Sequence, residues 1–147
     1  MSDKKMRLRI VTPDKVVFDG QVDAVGAMGS EGAFTALPGH VPFLTDLNPG
    51  LLWFRNSDGV KDLAVSGGFA EVLPNKTSIL ADSAEYLEEI DLVRAEKALK
   101  RAEERLRMAK AEARLAENGQ APDISRATLS MTRASTRIKL ATRRIRH

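Results

Sequence analysis

The chain has 147 residues and a mass of 16.1 kDa, room for one ordinary domain or two small ones. Hydrophobic residues make up 43% and charged residues 29%, a globular balance and not a disordered one. With no cysteine and two histidines, His40 and His147, the composition excludes a disulfide scaffold, a thiolate metal site and a thiol nucleophile, and argues against a histidine metal cluster.

The opening Met1-Ser2-Asp3-Lys4-Lys5 runs straight into an alternating segment, with no apolar stretch of a signal peptide. No run of about 18 apolar residues occurs, so no bilayer-spanning helix is expected. A soluble, cytoplasmic protein is the expectation.

Up to Tyr86 the chain is punctuated by turn signals: Pro13-Asp14, Asp19-Gly20, Gly29-Ser30-Glu31-Gly32, Pro38-Gly39, Asn48-Pro49-Gly50, Asp58-Gly59, Gly67-Gly68 and Pro74-Asn75. Gly26, Gly29 and Gly32 are read as turn glycines as well. Between the turns apolar residues recur with period two: Met6, Leu8 and Ile10, then Val22 and Ala24, then Leu63 and Val65, then Ile79. Many short strands so spaced predict an antiparallel β-sandwich over residues 1–86. A core of that size is small and gains from a partner.

From Leu87 onward the period changes. Leu92, Ala95, Leu99, Ala102, Leu106, Ala109, Ala113 and Ala116 recur at intervals of three and four, a heptad seam. Residues 117–123, with Gly119 and Pro122-Asp123, break the helix. A second seam follows: Ile124, Ala127, Met131, Ala134, Ile138, Ala141 and Ile145. Alanines every seventh residue on both helices let two backbones approach, so residues 87–147 predict an antiparallel two-helix hairpin. The fold class is therefore α+β.

Charge is distributed unevenly. Residues 1–86 carry eight bases and eleven acids, and residues 87–117 eight of each, with Glu96/Lys100 and Glu103/Arg107 at helical pair spacing. Residues 122–147 hold Arg126, Arg133, Arg137, Lys139, Arg143, Arg144 and Arg146 against Asp123 alone. Such a basic helix is a solvated face, a site for an acidic protein surface or a nucleotide, or a nucleic-acid or anionic-lipid contact. The lack of aromatic residues among these arginines argues against nucleic acid.

Catalytic equipment is scarce. No phosphate-cradling Gly-x-x-x-x-Gly-Lys-Ser/Thr motif and no dinucleotide fingerprint occurs. His40, in Leu37-Pro38-Gly39-His40, has no triad partner in view and reads as a residue that orders a turn. Trp53 and Phe54 read as core or contact residues. Asp91 reads as a helix N-cap, with Ile90 and Ala95 placed for a hydrophobic staple. An enzyme in its own right is not expected, and the residues leave open a free-standing basic adaptor or nucleic-acid-binding module.

Several motifs together resemble a known family. Glu31-Gly-Ala-Phe-Thr-Ala-Leu-Pro-Gly-His-Val-Pro-Phe-Leu-Thr45, Ala64-Val-Ser-Gly-Gly-Phe-Ala-Glu-Val72, Ile79-Leu-Ala-Asp82, Val11-Thr-Pro-Asp14 and Ile90-Asp-Leu-Val-Arg-Ala95 resemble, in order, the ε subunit of bacterial F-type ATP synthase. The second helix is more basic than in other members. The resemblance implies a non-catalytic rotor subunit that requires no cofactor or metal. Its sandwich would join the γ subunit and the membrane c-ring, and its helices would reach the α/β catalytic subunits and restrain ATP hydrolysis. It further implies a peripheral place on the cytoplasmic face of the inner membrane, held there only through the complex. Leu37, Pro38, Gly39, His40, Arg126, Arg133 and Arg137 become candidate partner contacts. Regulatory ATP, known in some members, would be met by Glu85, Ile90, Asp91, Arg94, Ala95, Arg101, Arg133 and Arg137.

Overall fold

The computed structural model describes residues 4–115 and 124–145. The chain divides into two compact units, one ending at Glu89 and the other starting at Ile90. The division falls three residues after the 86/87 change of pattern, because the 3-10 turn Leu87–Glu89 belongs with the first unit.

Ten strands form the first unit: β1 (Met6–Val11), β2 (Val16–Val22), β3 (Ala24–Gly29), β4 (Gly32–Ala36), β5 (Phe43–Leu47), β6 (Gly50–Asn56), β7 (Gly59–Val65), β8 (Gly68–Val72), β9 (Lys76–Ala81) and β10 (Ala84–Tyr86). Their order is β10-β7-β6-β3-β5-β8-β9-β1-β2, with β4 paired to β3. The path folds over on itself: Phe18 of β2 meets Phe54 of β6 with ring centroids 4.2 Å apart. The resulting sandwich encloses Met6, Leu8, Ile10, Val22, Leu63, Val65 and Ile79, the same residues that the period-two pattern turns inward.

One pairing departs from the all-antiparallel expectation. β1 pairs β2 antiparallel but runs parallel to β9, with Arg7 opposite Lys76 and Ile10 opposite Ile79. Parallel strands need a long crossover, and the whole intervening domain supplies it here. Local turn signals carry no trace of such a contact.

Two glycine assignments also change. Asp19-Gly20 is no turn but lies inside β2, where Gly20 faces Leu8 and a Cβ on it would stand 3.0 Å from the Phe18 ring. Asp19 is there to receive Arg7, whose Nε and Nη2 donate to its carboxylate at 2.9 Å each. Gly26 lies inside β3 opposite Trp53, and the indole covers it so closely that a Cβ would fall 2.3 Å from Nε1. Gly68, by contrast, does serve a turn: its φ is +123°, and a side chain there would collide with the Leu80 carbonyl oxygen at 1.9 Å.

The second unit consists of α1 (Leu92–Leu115) and α2 (Ile124–Ile145). Asp91 begins α1 as expected: its Oδ1 accepts the Arg94 N–H at 3.2 Å, and its carbonyl accepts the Ala95 N–H at 2.9 Å. Ile90 and Ala95, the staple positions, are both buried. The two helices pack on each other, and Ala102, Arg105 and Ala109 of α1 line one cleft with Arg126, Ala127, Leu129, Ser130 and Arg133 of α2. Ala95, Ala102, Leu106 and Ala141 are buried along the seam, whereas Ala109, Ala113 and Ala127 remain half-exposed. The seam therefore closes over part of its length only. Neither Glu96/Lys100 nor Glu103/Arg107 forms an ion pair, as befits solvated side chains whose attraction is weak. The expected break over 117–123, the seam position Ala116, and Arg146 and His147 lie outside the described residues; of Arg143, Arg144 and Ile145 only the backbone is described.

Candidate functional site

On the sandwich, the loop between β4 and β5 is braced from two sides. Gly39, at φ +87°, donates its N–H to the Pro74 carbonyl at 2.7 Å, and the His40 N–H reaches the Leu37 carbonyl at 3.0 Å. The His40 ring donates from Nδ1 to the Val41 carbonyl at 2.6 Å, and it lies 6.0 Å from the Phe43 ring. His40 thus orders its turn and is engaged with backbone, which agrees with the sequence reading. The bracing leaves Leu37 and Val41 presented to solvent, Val41 at 74% exposure. A fixed loop with apolar tips is suited to a partner, because little conformational entropy remains to be lost on docking.

A second surface was not anticipated. Val16 pairs Val11, Val11 pairs Leu80 and Leu80 pairs Phe69, so four apolar side chains cross β2, β1, β9 and β8 in one row. Phe69 and Leu80 are 53% and 57% exposed. An apolar row on the outer face of a sheet marks an interaction surface. Its residues are out of phase with the core residues Ala70, Val72, Ile79 and Ala81, which is a signal visible in each strand. Only the register, however, shows that they adjoin.

Charges on this unit are local. Lys5 pairs Asp23, and Arg7 pairs Asp19 with Arg9 nearby. The Arg7 hydrogen bond holds the Asp19 carboxyl below the usual carboxylate range. Burial, and then Glu89 and Glu88, push the Tyr86 hydroxyl upward. Among the described residues no three His, Cys, Asp or Glu side chains gather as metal ligands, and no helix is long and apolar enough to cross a membrane.

Of the eight residues named for ATP, Glu85 lies on β10 of the sandwich and the other seven lie in the helical unit. Asp91, Arg94 and Ala95 are brought together by the helix cap, and Asp91 is engaged there with backbone. Arg94 and Arg101 are exposed on α1, while Arg133 and Arg137 are half-buried on α2. Of the candidate partner contacts on this helix, Arg126 is exposed.

Where the alanine seam fails to close, a cleft of about 540 Å³ opens between α1 and α2. Arg105 of α1 and Arg126 and Arg133 of α2 line it together with Ser130. Its apolar wall is Ala102, Ala109, Ala127 and Leu129. Arg94, Arg101 and Arg137 are not among the lining residues. Sequence reasoning missed Arg105. The available signal was that Arg126 and Arg133 stand one heptad apart, each just before a seam alanine.

Residues 5–87 match the family described as ATP synthase, Delta/Epsilon chain, beta-sandwich domain. The chain is similar to the ATP synthase epsilon chain of Nitratidesulfovibrio vulgaris (strain DP4), with 45% identity over 94% of this chain and 96% of that one. It is similar also to the ATP synthase epsilon chain of Syntrophobacter fumaroxidans, with 43% identity over the same shares. Among solved structures, a chain of the Euglena gracilis mitochondrial ATP synthase assembly of OSCP, F1 and c-ring has a like fold. Its TM-score is 0.70 at 22% identity, covering 92% of this chain and 82% of that one. A chain of the Tetrahymena thermophila mitochondrial ATP synthase central stalk and c-ring has a TM-score of 0.53 at 20% identity, covering 97% and 98%.

Proposed function

The chain belongs to the ATP synthase epsilon chain family, and from that membership we propose that its sandwich binds the γ subunit and the c-ring while its helices restrain ATP hydrolysis. It is a non-catalytic central-stalk subunit of ATP synthase. The apolar row of Val16, Val11, Leu80 and Phe69 carries the proposal, since a stalk subunit must cover such a surface against a rotor partner. Each of these side chains is already partly covered, so docking adds roughly half or less of the about 1.5–3 kcal/mol that full burial is worth. The row is assigned to γ and the braced Leu37–His40 loop, with Val41, to the c-ring. The arginines of α2 are assigned to acidic surface on the α/β subunits. In this reading the protein sits at the cytoplasmic face of the membrane and is held there by the complex.

A Phe69→Asp/Leu80→Asp variant tests the row. It is expected to stay folded as an isolated chain with a modestly lower melting temperature, because both side chains are half-covered and the two aspartates would face each other across β8 and β9, and to lose co-purification with γ. Retained co-purification would refute the assignment. Removing residues 122–147 is expected to raise ATP hydrolysis by the assembled enzyme while assembly persists. An unaltered rate would leave the arginines of α2 as a solvated face. ATP enters as a regulatory ligand held between Asp91, Arg94 and Arg101 on one side and Arg133 and Arg137 on the other, favouring the closed hairpin by differential affinity. Calorimetry of wild type beside Arg94→Ala tests this, and absence of heat at millimolar ATP would leave Asp91 as a helix cap alone.

A further inference from the structure

We propose that the outer face of β5, β8, β9, β1 and β2 accepts its partner in one direction only. The partner brings an apolar ridge over the row, with carboxylates beside it at the β1 end and a base beside it at the β8 end. The inference rests on the assignment of the row to γ and adds the chemistry that γ must present there.

Strand register lays this face out as a grid. Its first line is the apolar row of Phe69, Leu80, Val11 and Val16, with Asp46 of β5 next to Phe69. Two residues along each strand, about 7 Å away, runs a second line of Leu44, Glu71, Ser78, Arg9 and Asp19. Beyond it Lys76 stands opposite Arg7.

Charge is sorted within the grid. Asp46 and Glu71, both exposed, lie on the neighbouring strands β5 and β8. Arg7, Arg9 and Lys76 lie on the neighbouring strands β1 and β9. Glu71 and Arg9 are separated by Ser78, about 10 Å across the strands, and are not paired with each other. The three cations act on one carboxylate. Arg7 donates two hydrogen bonds to Asp19 at 2.9 Å, and Arg9 stands 3.9 Å from it. The Arg7 hydrogen bond, and then the charges of Arg7, Arg9 and Lys76, hold the Asp19 carboxyl below its ordinary range. Among the described residues, the β9–β1 part of the face is therefore positive and the β5–β8 part negative.

Four apolar side chains in a row read alike from either end, so apolar contact alone accepts a partner in two orientations. Sorted charge removes the ambiguity, because the reversed orientation sets like charges against each other. The row crosses three strand intervals, about 14 Å. A ridge of that length fits it, with acidic side chains about 7 Å to one side to meet Arg9 and Lys76. Such flanking charges act mainly on the rate of encounter and on its dependence on salt.

The test is rebinding of the full chain to F1 from which this subunit has been removed, followed as an association rate at about 20 mM and about 200 mM salt. Arg9→Gln/Lys76→Gln is expected to slow association about tenfold at low salt, with the difference shrinking at high salt. Glu71→Lys is expected to slow it also, by about threefold or more, because a base of the partner faces Glu71. Arg55→Glu reverses a charge on β6, outside this face, and should leave the rate within about twofold. The Trp53 emission transition checks that each variant is folded. Faster association of Glu71→Lys overturns the proposal, since it marks a partner that is acidic throughout. Slowing by Arg55→Glu equal to that of Arg9→Gln/Lys76→Gln overturns it too, as a diffuse charge effect. A normal rate for Arg9→Gln/Lys76→Gln, where Phe69→Asp/Leu80→Asp fails to bind, removes the direction and leaves the row with γ. Normal binding by both of these variants overturns the row assignment as well.

Discussion

Replacing Gly26 with alanine places a methyl group where the indole of Trp53 now lies. The new Cβ would stand 2.3 Å from Nε1, 2.5 Å from Cε2 and 2.8 Å from Cζ2, all well inside van der Waals contact. Gly26 is not among the glycines with positive φ, so its backbone accepts alanine without strain and the penalty is steric. Overpacking of this kind costs about 1–3 kcal/mol, while the entropy lost by the unfolded chain returns about 0.4–1 kcal/mol. Trp53 is half-exposed on the outer face, so the ring relieves the clash by tilting into water. A net loss of about 0.5–2 kcal/mol lowers the melting temperature of a unit this size by about 2–16 °C. Trp53 is the single tryptophan, so its emission reports the displacement directly and should shift to the red. In the double variant with Trp53→Ala, the added methyl at position 26 should cost almost nothing, giving a coupling between the two sites. Unchanged emission and melting in Gly26→Ala would refute the packing argument. An equal cost with and without the indole would show that the strain lies in the backbone.

Ala141→Leu inserts a bulky side chain into the closed part of the seam, at a cost of about 1–3 kcal/mol. Helical circular dichroism should melt earlier, while the Trp53 emission transition, which reports the sandwich, stays in place. Asp91→Ala removes the cap on the Arg94 N–H and should cost the helical unit about 1 kcal/mol, with Asp91→Asn recovering most of it in thermal melts. For Asp19, whose folded pKa is depressed by Arg7, the stabilisation is present above the ordinary carboxylate range and is lost as pH falls through the depressed value. The contribution is small because the pair is solvent-exposed, and Asp19→Asn should flatten the acid limb of a melting-temperature-against-pH curve.

The sequence shows elements and caps well where the cause is local. Pro13-Asp14, Asp58-Gly59 and Gly67-Gly68 mark real turns because the residue and the need for it sit together. Gly26 and Gly20 mislead for the opposite reason: each is small to make room for a ring, and for Gly26 that ring, Trp53, lies on another strand. The outer row of Phe69 and Leu80 needs the strand register, which period-two alternation leaves undetermined by steps of two residues along the partner. At the hairpin, alanine spacing is matched by burial at Ala95, Ala102 and Ala141. It says nothing of the gap at Ala109 and Ala127, because a missing side chain lets two backbones meet or leaves a cleft with equal ease. Arg105 escaped notice for that reason: its significance depends on an opening that no residue type announces.

The parallel contact of β1 with β9 bears on how the protein is made. Arg7 and Lys76 become neighbours only after about 70 further residues have left the ribosome, an interval of roughly 3–14 s at ordinary rates of synthesis. During that time β1 and β2 can form their hairpin, but the other edge of β1 has no strand to pair with. Bare edges recruit foreign strands, and charge on the waiting strand discourages them. Arg7 and Arg9 stand on that edge, both turned outward in the finished sandwich. The two arginines share only Asp19 within that hairpin, so the waiting strand keeps a net positive charge of the kind that discourages such pairing until β9 arrives.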